Sequence, residues 1–468
     1  MAKNFVKKGK NKNRTVKKPG NNNSSVVRDV TNAKNETVKL TDYLAYLPGL
    51  LMVGMIALTL LLDIMSPKMQ DTQYGDFRNI FRVFDYAIIT GGLIFLVIAA
   101  VKKRLKFCAR DYLFGAFMVC IVISTCINGL SHEAAFGLPY RYIGVFNMFA
   151  FFIMYMKVSG YIERISFRYT VLTGYLVVAD AVALSAIYEL YLGDIPAYQG
   201  KLGLSTIFVN GNHYGYFLAM AIMIGIGYYI YEGQKRSTFG ALSAILNLFV
   251  LVINNTLGAM LSVGLCTFVT VILVLVIDMK AENSLFRSTE KKMLTETTKR
   301  TFILAISAVV AIVTALAISP SLRNSILGLF LDMGSILAGT STGAEGSGRW
   351  NLWQTVIQYI AEKPLFGHGC EGITLRILNA TGEGDAHCEP LTYAAYYGIP
   401  GALLYLAGVI AAAVKYFKDR QNLPSYCKAA FLGASAYFIS SLVGVAMFNT
   451  APFFYIFMGM ATEEWKEG

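Results

Sequence analysis

Long apolar runs recur along the chain, at 44–65, 84–101, 111–129, 138–157, 169–191, 207–230, 239–255, 257–277, 301–319, 399–417, 429–447 and 451–463, with polar segments between them. Most approach the roughly 20 residues that an α-helix needs to cross the hydrocarbon core of a bilayer. The runs are continuous rather than alternating, which excludes the strands of a membrane barrel. The pattern predicts an all-α polytopic membrane protein with about 12 transmembrane helices. It divides into a polar tail (1–40), nine helices (41–319), one long outer segment (320–398), and three helices with a cytoplasmic C-terminus (399–468).

Composition agrees with this reading. The chain is 55% hydrophobic and 15% charged, with mean hydropathy +0.51, where a soluble domain carries about 25% charged residues. The net charge of +12 invites a nucleic-acid partner, but the basic residues sit between the apolar runs. With the N-terminus inside, 32 of the 41 Lys and Arg fall on alternate segments assigned to the cytoplasm, as the positive-inside rule requires. The tail, with Lys3, Lys7, Lys8, Lys10, Lys12, Arg14, Lys17 and Lys18, lacks the apolar core of a signal peptide. It reads as a disordered cytoplasmic tail that either lies on anionic lipid heads or anchors the topology. The membrane lipids are therefore partners and nucleic acid is not.

The outer segment opens with a Gly-, Ser- and Thr-rich stretch, Ser335 to Gly348, that reads as a flexible approach. An amphipathic helix is predicted from Arg349 to Ile360. Trp350, Trp353, Val356, Ile357 and Ile360 recur at helical spacing. Two of the three tryptophans lie here, so the helix is expected to lie on the outer leaflet. Pro364 and Gly367 end it, and a second short helix is expected from Glu389 to Tyr397.

Candidate chemistry gathers on the same side. Arg349 opens the amphipathic helix, Arg141 sits in Gly137–Tyr142 at the outer mouth of a span, and Lys201 precedes another span. Three cations on the face poor in basic residues fit an anionic ligand, since guanidinium matches phosphate oxygens in a bidentate fork. The alternative is that they reach lipid phosphates. His387, in the same outer segment as Arg349, is a candidate general base. Cys370 and Cys388 share that segment and either form a disulfide on the oxidising face or remain two thiols. Asp180 lies inside a span, which keeps a transporter or flippase of lipid-linked or anionic substrates open. The chain has no DxD, Walker loop or GxSxG, so no metal or other cofactor is expected.

Four stretches, in order, resemble the O-antigen ligase / polysaccharide polymerase superfamily. They are Ile207–Ala219 (IFVNGNHYGYFLA); Thr256–Ala259 (TLGA); Gly346–Trp353 (GSGRWNLW) with Pro364–Gly369 (PLFGHG); and Ala386-His387 with Gly398–Gly401 (GIPG). The resemblance implies a glycosyltransferase of the bacterial plasma membrane that works at its outer face in cell-surface polysaccharide assembly. Its donor would be a glycan on undecaprenyl pyrophosphate and its acceptor another glycan or a lipid-linked sugar. The transfer would be metal-independent and inverting. His387 and Arg349 carry over as base and phosphate clamp, and Asn210, Asn212 and Glu389 as residues that shape the site. The chain departs from the family at Leu257, where the turn has arginine, at Cys388, where asparagine is usual, and at Lys201, where many members have arginine. Lys201 or Arg141 would then supply the second phosphate-binding cation.

Overall fold

The computed structural model describes Gly54 and residues 86–461, leaving out 95, 98–99, 102–106, 139–140, 142, 161–164, 192–205, 209, 279–287, 319, 344 and 347. The basic tail, the run at 44–65 apart from Gly54, and Lys201 lie outside the described residues. Every regular element among the described residues is helical.

From residue 109 on, the α-helices in chain order are α1 Ala109–Asn128, α2 His132–Phe136, α3 Val145–Gly160, α4 Ile165–Tyr191, α5 Gly211–Tyr231, α6 Gln234–Asn254, α7 Leu257–Ile272, α8 Ser288–Ile318, α9 Pro320–Leu337, α10 Arg349–Glu362, α11 Thr374–Thr381, α12 Glu389–Asp419, α13 Ser425–Ser441 and α14 Ala451–Met460. Among the described residues, seven segments are long and apolar enough to cross a membrane: they lie within α1, α4, α5, α6, α8 and α12, and one comprises α7 with its continuation to Val276; α3 and α14 contain shorter apolar segments. The protein is a polytopic membrane protein.

The bundle is built around α5, which is apolar on every face (GNHYGYFLAMAIMIGIGYYIY) and 89% buried over its spanning window. A helix apolar all round belongs inside other helices. Small residues let its neighbours approach. A Cβ on Gly227 would lie 2.6 Å from the Ala429 Cα of α13, the close contact that small residues permit between membrane helices. At the other extreme, the spanning part of α8 is only 6% buried. Phe302, Ile306, Val309, Val310 and Val313 are all exposed along it, a surface that suits lipid and not water.

Asp180 of α4 accepts hydrogen bonds from Ser243 Oγ and Asn247 Nδ2 of α6, each at 2.7 Å. The intramembrane carboxylate is an interhelical clasp.

Segment 320–398 is ordered in ways its composition hides. Residues 320–337 form helix α9, and the Gly-, Ser- and Thr-rich stretch is a tied turn instead of a free linker. Glu345 accepts from the Thr342 amide (2.7 Å), the Gly343 amide (2.8 Å) and Ser341 Oγ (2.7 Å), and Asp332 holds the Gly346 amide at 2.8 Å. The backbone and hydroxyl donors drive the Glu345 carboxyl down to about 2. The predicted amphipathic helix is α10, but its buried stripe is Leu352, Val356 and Ile360, while Ile357 is 54% exposed. The i, i+4, i+8 row packs inward onto α12 and α11.

The short helix at Glu389 and the span after it are one element, α12, with a break at Gly398 (φ 80°, ψ 166°). The break frees backbone groups that Pro364–Gly369 takes up. The His368 amide donates to Ala395 O (2.9 Å), the Gly369 amide to Tyr396 O (2.9 Å), and the Ile399 amide to Pro364 O (2.8 Å). Ser124 Oγ of α1 donates to the same Tyr396 O at 2.7 Å. Side chains are excluded from this junction. A Cβ on Gly367, at φ +64°, would meet the Tyr396 carbonyl, and one on Gly398 would meet that of Leu365. Two backbones in direct contact are the physical content of the Pro-x-x-Gly and Gly-Ile-Pro-Gly stretches.

Candidate active site

His387 stands in a loop, 382–388, clasped from three directions. Inside the loop, Asp385 Oδ1 accepts from the His387 amide at 2.7 Å. From the loop between α2 and α3, Arg141 Nη1 lies 2.7 Å from Asp385 Oδ2 and donates to Gly384 O at 3.1 Å. From α10, Trp353 Nε1 donates to Ala386 O at 2.9 Å. Asp385 is 0% exposed and Arg141 20%. Burial alone would lower the arginine's proton affinity, but the negative charge of Asp385, with that of Glu371, outweighs it and raises it. His387 takes a left-handed backbone, φ +45°, which a non-glycine residue holds only when its surroundings impose it. Its imidazole is 26% exposed, with Nε2 3.4 Å from Glu383 Oε2 and 3.8 Å from Asp385 Oδ1.

Arg349 reaches the same place. It lies four residues before Trp353 on α10, so the two share a helix face one turn apart. Since Trp353 holds the carbonyl before His387, that face turns toward the histidine loop. Arg349 Nη1 donates to Gly346 O at 3.2 Å, and its Nε, buried, has no protein partner. Tyr216 of α5 lies within electrostatic reach of both Arg349 and Asp385. His213, one turn earlier, lies within reach of Asp385, His387 and Arg141, with Nδ1 unpartnered. Arg349, His387, Arg141, Asp385, His213 and Tyr216 therefore converge at the N-terminal end of α5.

The α6–α7 turn adjoins this end of α5. Asn254 Nδ2 and Thr256 Oγ1 both donate to Gly211 O, each at 3.0 Å. Against the N-terminus of the helix that carries His213 and Tyr216, the turn presents Thr256 and Leu257 in place of a cation.

Residues 242–406 match the family model described as O-antigen ligase. The chain carries an O-antigen ligase domain. No curated protein matches the chain. The domain takes in three of the four stretches singled out in the sequence, including Arg349, Trp353, Asp385 and His387. Asn210, Asn212, His213 and Arg141 precede it.

Other residues expected at the candidate site serve differently. Asn210 caps α5, its Oδ1 accepting from the Asn212 amide at 2.8 Å. Glu389 is 1% exposed and turns inward, accepting from Tyr393 OH (2.6 Å) and Tyr405 OH (3.2 Å). It anchors the start of α12 beneath the histidine. Cys370 and Cys388 are free thiols, so the bridged alternative is not the one adopted. Cys370 Sγ donates to Ile143 O at 3.1 Å and accepts from Tyr397 OH at 3.3 Å, so protein partners occupy it. Burial pushes both thiols up. Among the described residues, no group of three or more His, Cys, Asp and Glu is arranged to hold a metal ion.

Sequence reasoning passed over His213, Tyr216, Asp385 and Glu371. His213 and Tyr216 lie inside the Ile207–Ala219 stretch, which was the available signal. Nothing in the sequence separated Asp385 and Glu371 from the other acidic residues of segment 320–398.

Proposed function

We propose that this protein is a glycosyltransferase that ligates or polymerises glycan, taking it from a polyprenyl pyrophosphate carrier at the outer face of the bacterial plasma membrane, without a metal. The observation that carries the reading is the convergence of one guanidinium and one imidazole, from α10 and the loop before α12, at the N-terminal end of α5. The O-antigen ligase domain supports lipid-linked glycan as the substrate class.

The residues divide the chemistry as follows. The acceptor hydroxyl attacks the anomeric carbon from the face opposite the pyrophosphate. The new C–O bond forms as the C1–O bond to phosphate breaks, and its electron pair leaves on the pyrophosphate oxygen. The hydroxyl proton passes to the His387 imidazole. Glu383 and Asp385, both within 4 Å of Nε2, stabilise the imidazolium formed. Pyrophosphate is already a good leaving group, so the chain supplies positive charge where negative charge develops, and Arg349 with its unpartnered Nε fills that role. Arg141 acts one step back: its ion pair with Asp385 and its bond to Gly384 O position the histidine loop. Lys201 remains the candidate second cation for the pyrophosphate. The transporter alternative drew on Asp180, which Ser243 and Asn247 occupy.

Glycan length and attachment in cells that carry His387→Ala or Arg349→Ala test the reading. Loss of polymer or of its attachment, at normal protein level, is expected from each variant. Normal glycan with both would end it.

A further inference from the structure

A second feature of segment 320–398 lies beside the histidine loop. A cavity of about 310 Å³ opens between the C-terminal end of α1, the short helix α2 and residues 368–375. Its walls include Asn128, Ser131, Glu133, Leu138, Glu371 and Leu375. The volume is at the lower end for small-molecule sites and suits one ring-sized unit rather than a long chain.

Glu371 joins the cavity to the active site. It is 7% exposed. Its Oε2 accepts from Thr374 Oγ1 (2.6 Å) and Tyr396 OH (2.9 Å), while Oε1, also buried, has no protein partner. Arg141 lies within electrostatic reach of both Glu371 and Asp385, so one guanidinium stands between the cavity and the histidine loop. Glu371 also holds a left-handed backbone, φ +58°. A buried polar atom without a partner is destabilising, and a ligand hydroxyl that reached it would satisfy it.

The lining selects the chemistry of the ligand. Two carboxylates face a phosphate or a uronate with repulsion. Backbone and Ser131 hydrogen bonds hold the Glu133 carboxyl below the usual range, which keeps it charged. Carboxylates are acceptors for neighbouring hydroxyls, and Leu138 and Leu375 offer apolar surface to the C–H face of a ring. We infer that this cavity is a sugar subsite, which holds one neutral or amino sugar of the glycan substrate next to the reacting centre, with Glu371 and Glu133 as its hydroxyl acceptors. The inference rests on the glycosyltransferase reading and adds the class of sugar and its place.

The test uses the full-length protein in lipid nanodiscs. The probe is the mixture of oligosaccharides released by partial hydrolysis of the host cell's own surface polysaccharide, and binding is read by saturation-transfer NMR. Glu133→Gln removes one acceptor near the surface, and Leu375→Trp, at a side chain 66% exposed, obstructs the mouth without disturbing the core. Transfer is expected to wild type and His387→Ala alike, on neutral or amino sugar protons, and to fall at least five-fold in both cavity variants. No transfer to wild type, or equal transfer to wild type and both cavity variants, overturns the subsite. His387→Ala separates the two ideas: its loss of glycan in cells bears on catalysis, whereas its retained binding bears on the cavity.

Discussion

Trp353 is the residue at which structure and catalysis separate most cleanly. Its indole Nε1 donates at 2.9 Å to Ala386 O, and Ala386 is 0% exposed. Trp353→Phe keeps an aromatic ring of similar shape against the core and removes the one donor. The bond itself contributes about 0.5–1.5 kcal/mol net, and a buried carbonyl left without a partner costs about 1–3 kcal/mol. The chain escapes that cost when the histidine loop lifts so that water meets the carbonyl. At about 1.4 kcal/mol per tenfold, the engaged population of the loop falls by roughly 5- to 150-fold. Misplacement of a reacting group by about 1 Å costs on the order of 100-fold in rate, so turnover should fall by one to two orders of magnitude while the fold persists. The assay is single-turnover transfer from lipid-linked donor in nanodiscs, with thermal stability and protein level measured alongside. Trp353→Phe with wild-type turnover would refute the claim that α10 positions His387. A large loss of stability would assign the indole to the core instead.

Three further outcomes follow from the same geometry. Asp385→Asn keeps an acceptor for the His387 amide but leaves Arg141 without its counter-charge. Breaking a buried pair costs about 3–5 kcal/mol; with Arg141 20% exposed, the lower end is expected, and Arg141→Gln combined with Asp385→Asn should recover part of it in a double-mutant cycle of thermal stability. The Glu345 carboxyl, held near 2, lends the 341–346 turn a stability that is complete above the free carboxylate range and is lost as pH falls through about 2. Hydrogen exchange in this turn should stay slow from pH 7 to 4, whereas Glu345→Gln should exchange faster throughout, and equal exchange contradicts the assignment. Because Cys370 and Cys388 are free thiols, maleimide mass tagging after denaturation should count both without reductant, and dithiothreitol should leave transfer unchanged.

The apolar runs made most of the membrane helices legible, since a span of α5 or α7 writes its length directly into the chain. The ends were less so. The run at 138–157 begins as helix only at Val145, because the loop before it is drawn to the site through Arg141 and to the 442–450 connector, where the Phe448 amide donates to Arg141 O at 3.1 Å. The run at 429–447 stops as helix at Ser441, where a connector passes Tyr216. Helix α9 went unseen because Leu327, Phe330, Leu331 and Met333 are all exposed, so no periodic buried face marked it. Within the candidate site, His387 and Arg349 are the proposed pair to which their stretches pointed. The groups that hold them were not. Trp353 looked like a membrane-interface residue by composition, and only the folded chain sets its indole on the carbonyl before His387. The Arg141–Asp385 pair joins residues far apart in sequence, which no local pattern encodes.

The central claim is that His387 takes the proton as the sugar leaves pyrophosphate. Release of polyprenyl pyrophosphate from lipid-linked donor, by purified wild type and His387→Ala in nanodiscs, tests it most directly. A positioned base contributes about 10²- to 10⁴-fold, so the variant should release carrier at least a hundred times more slowly while it still binds donor. Equal release by the two proteins would contradict the account.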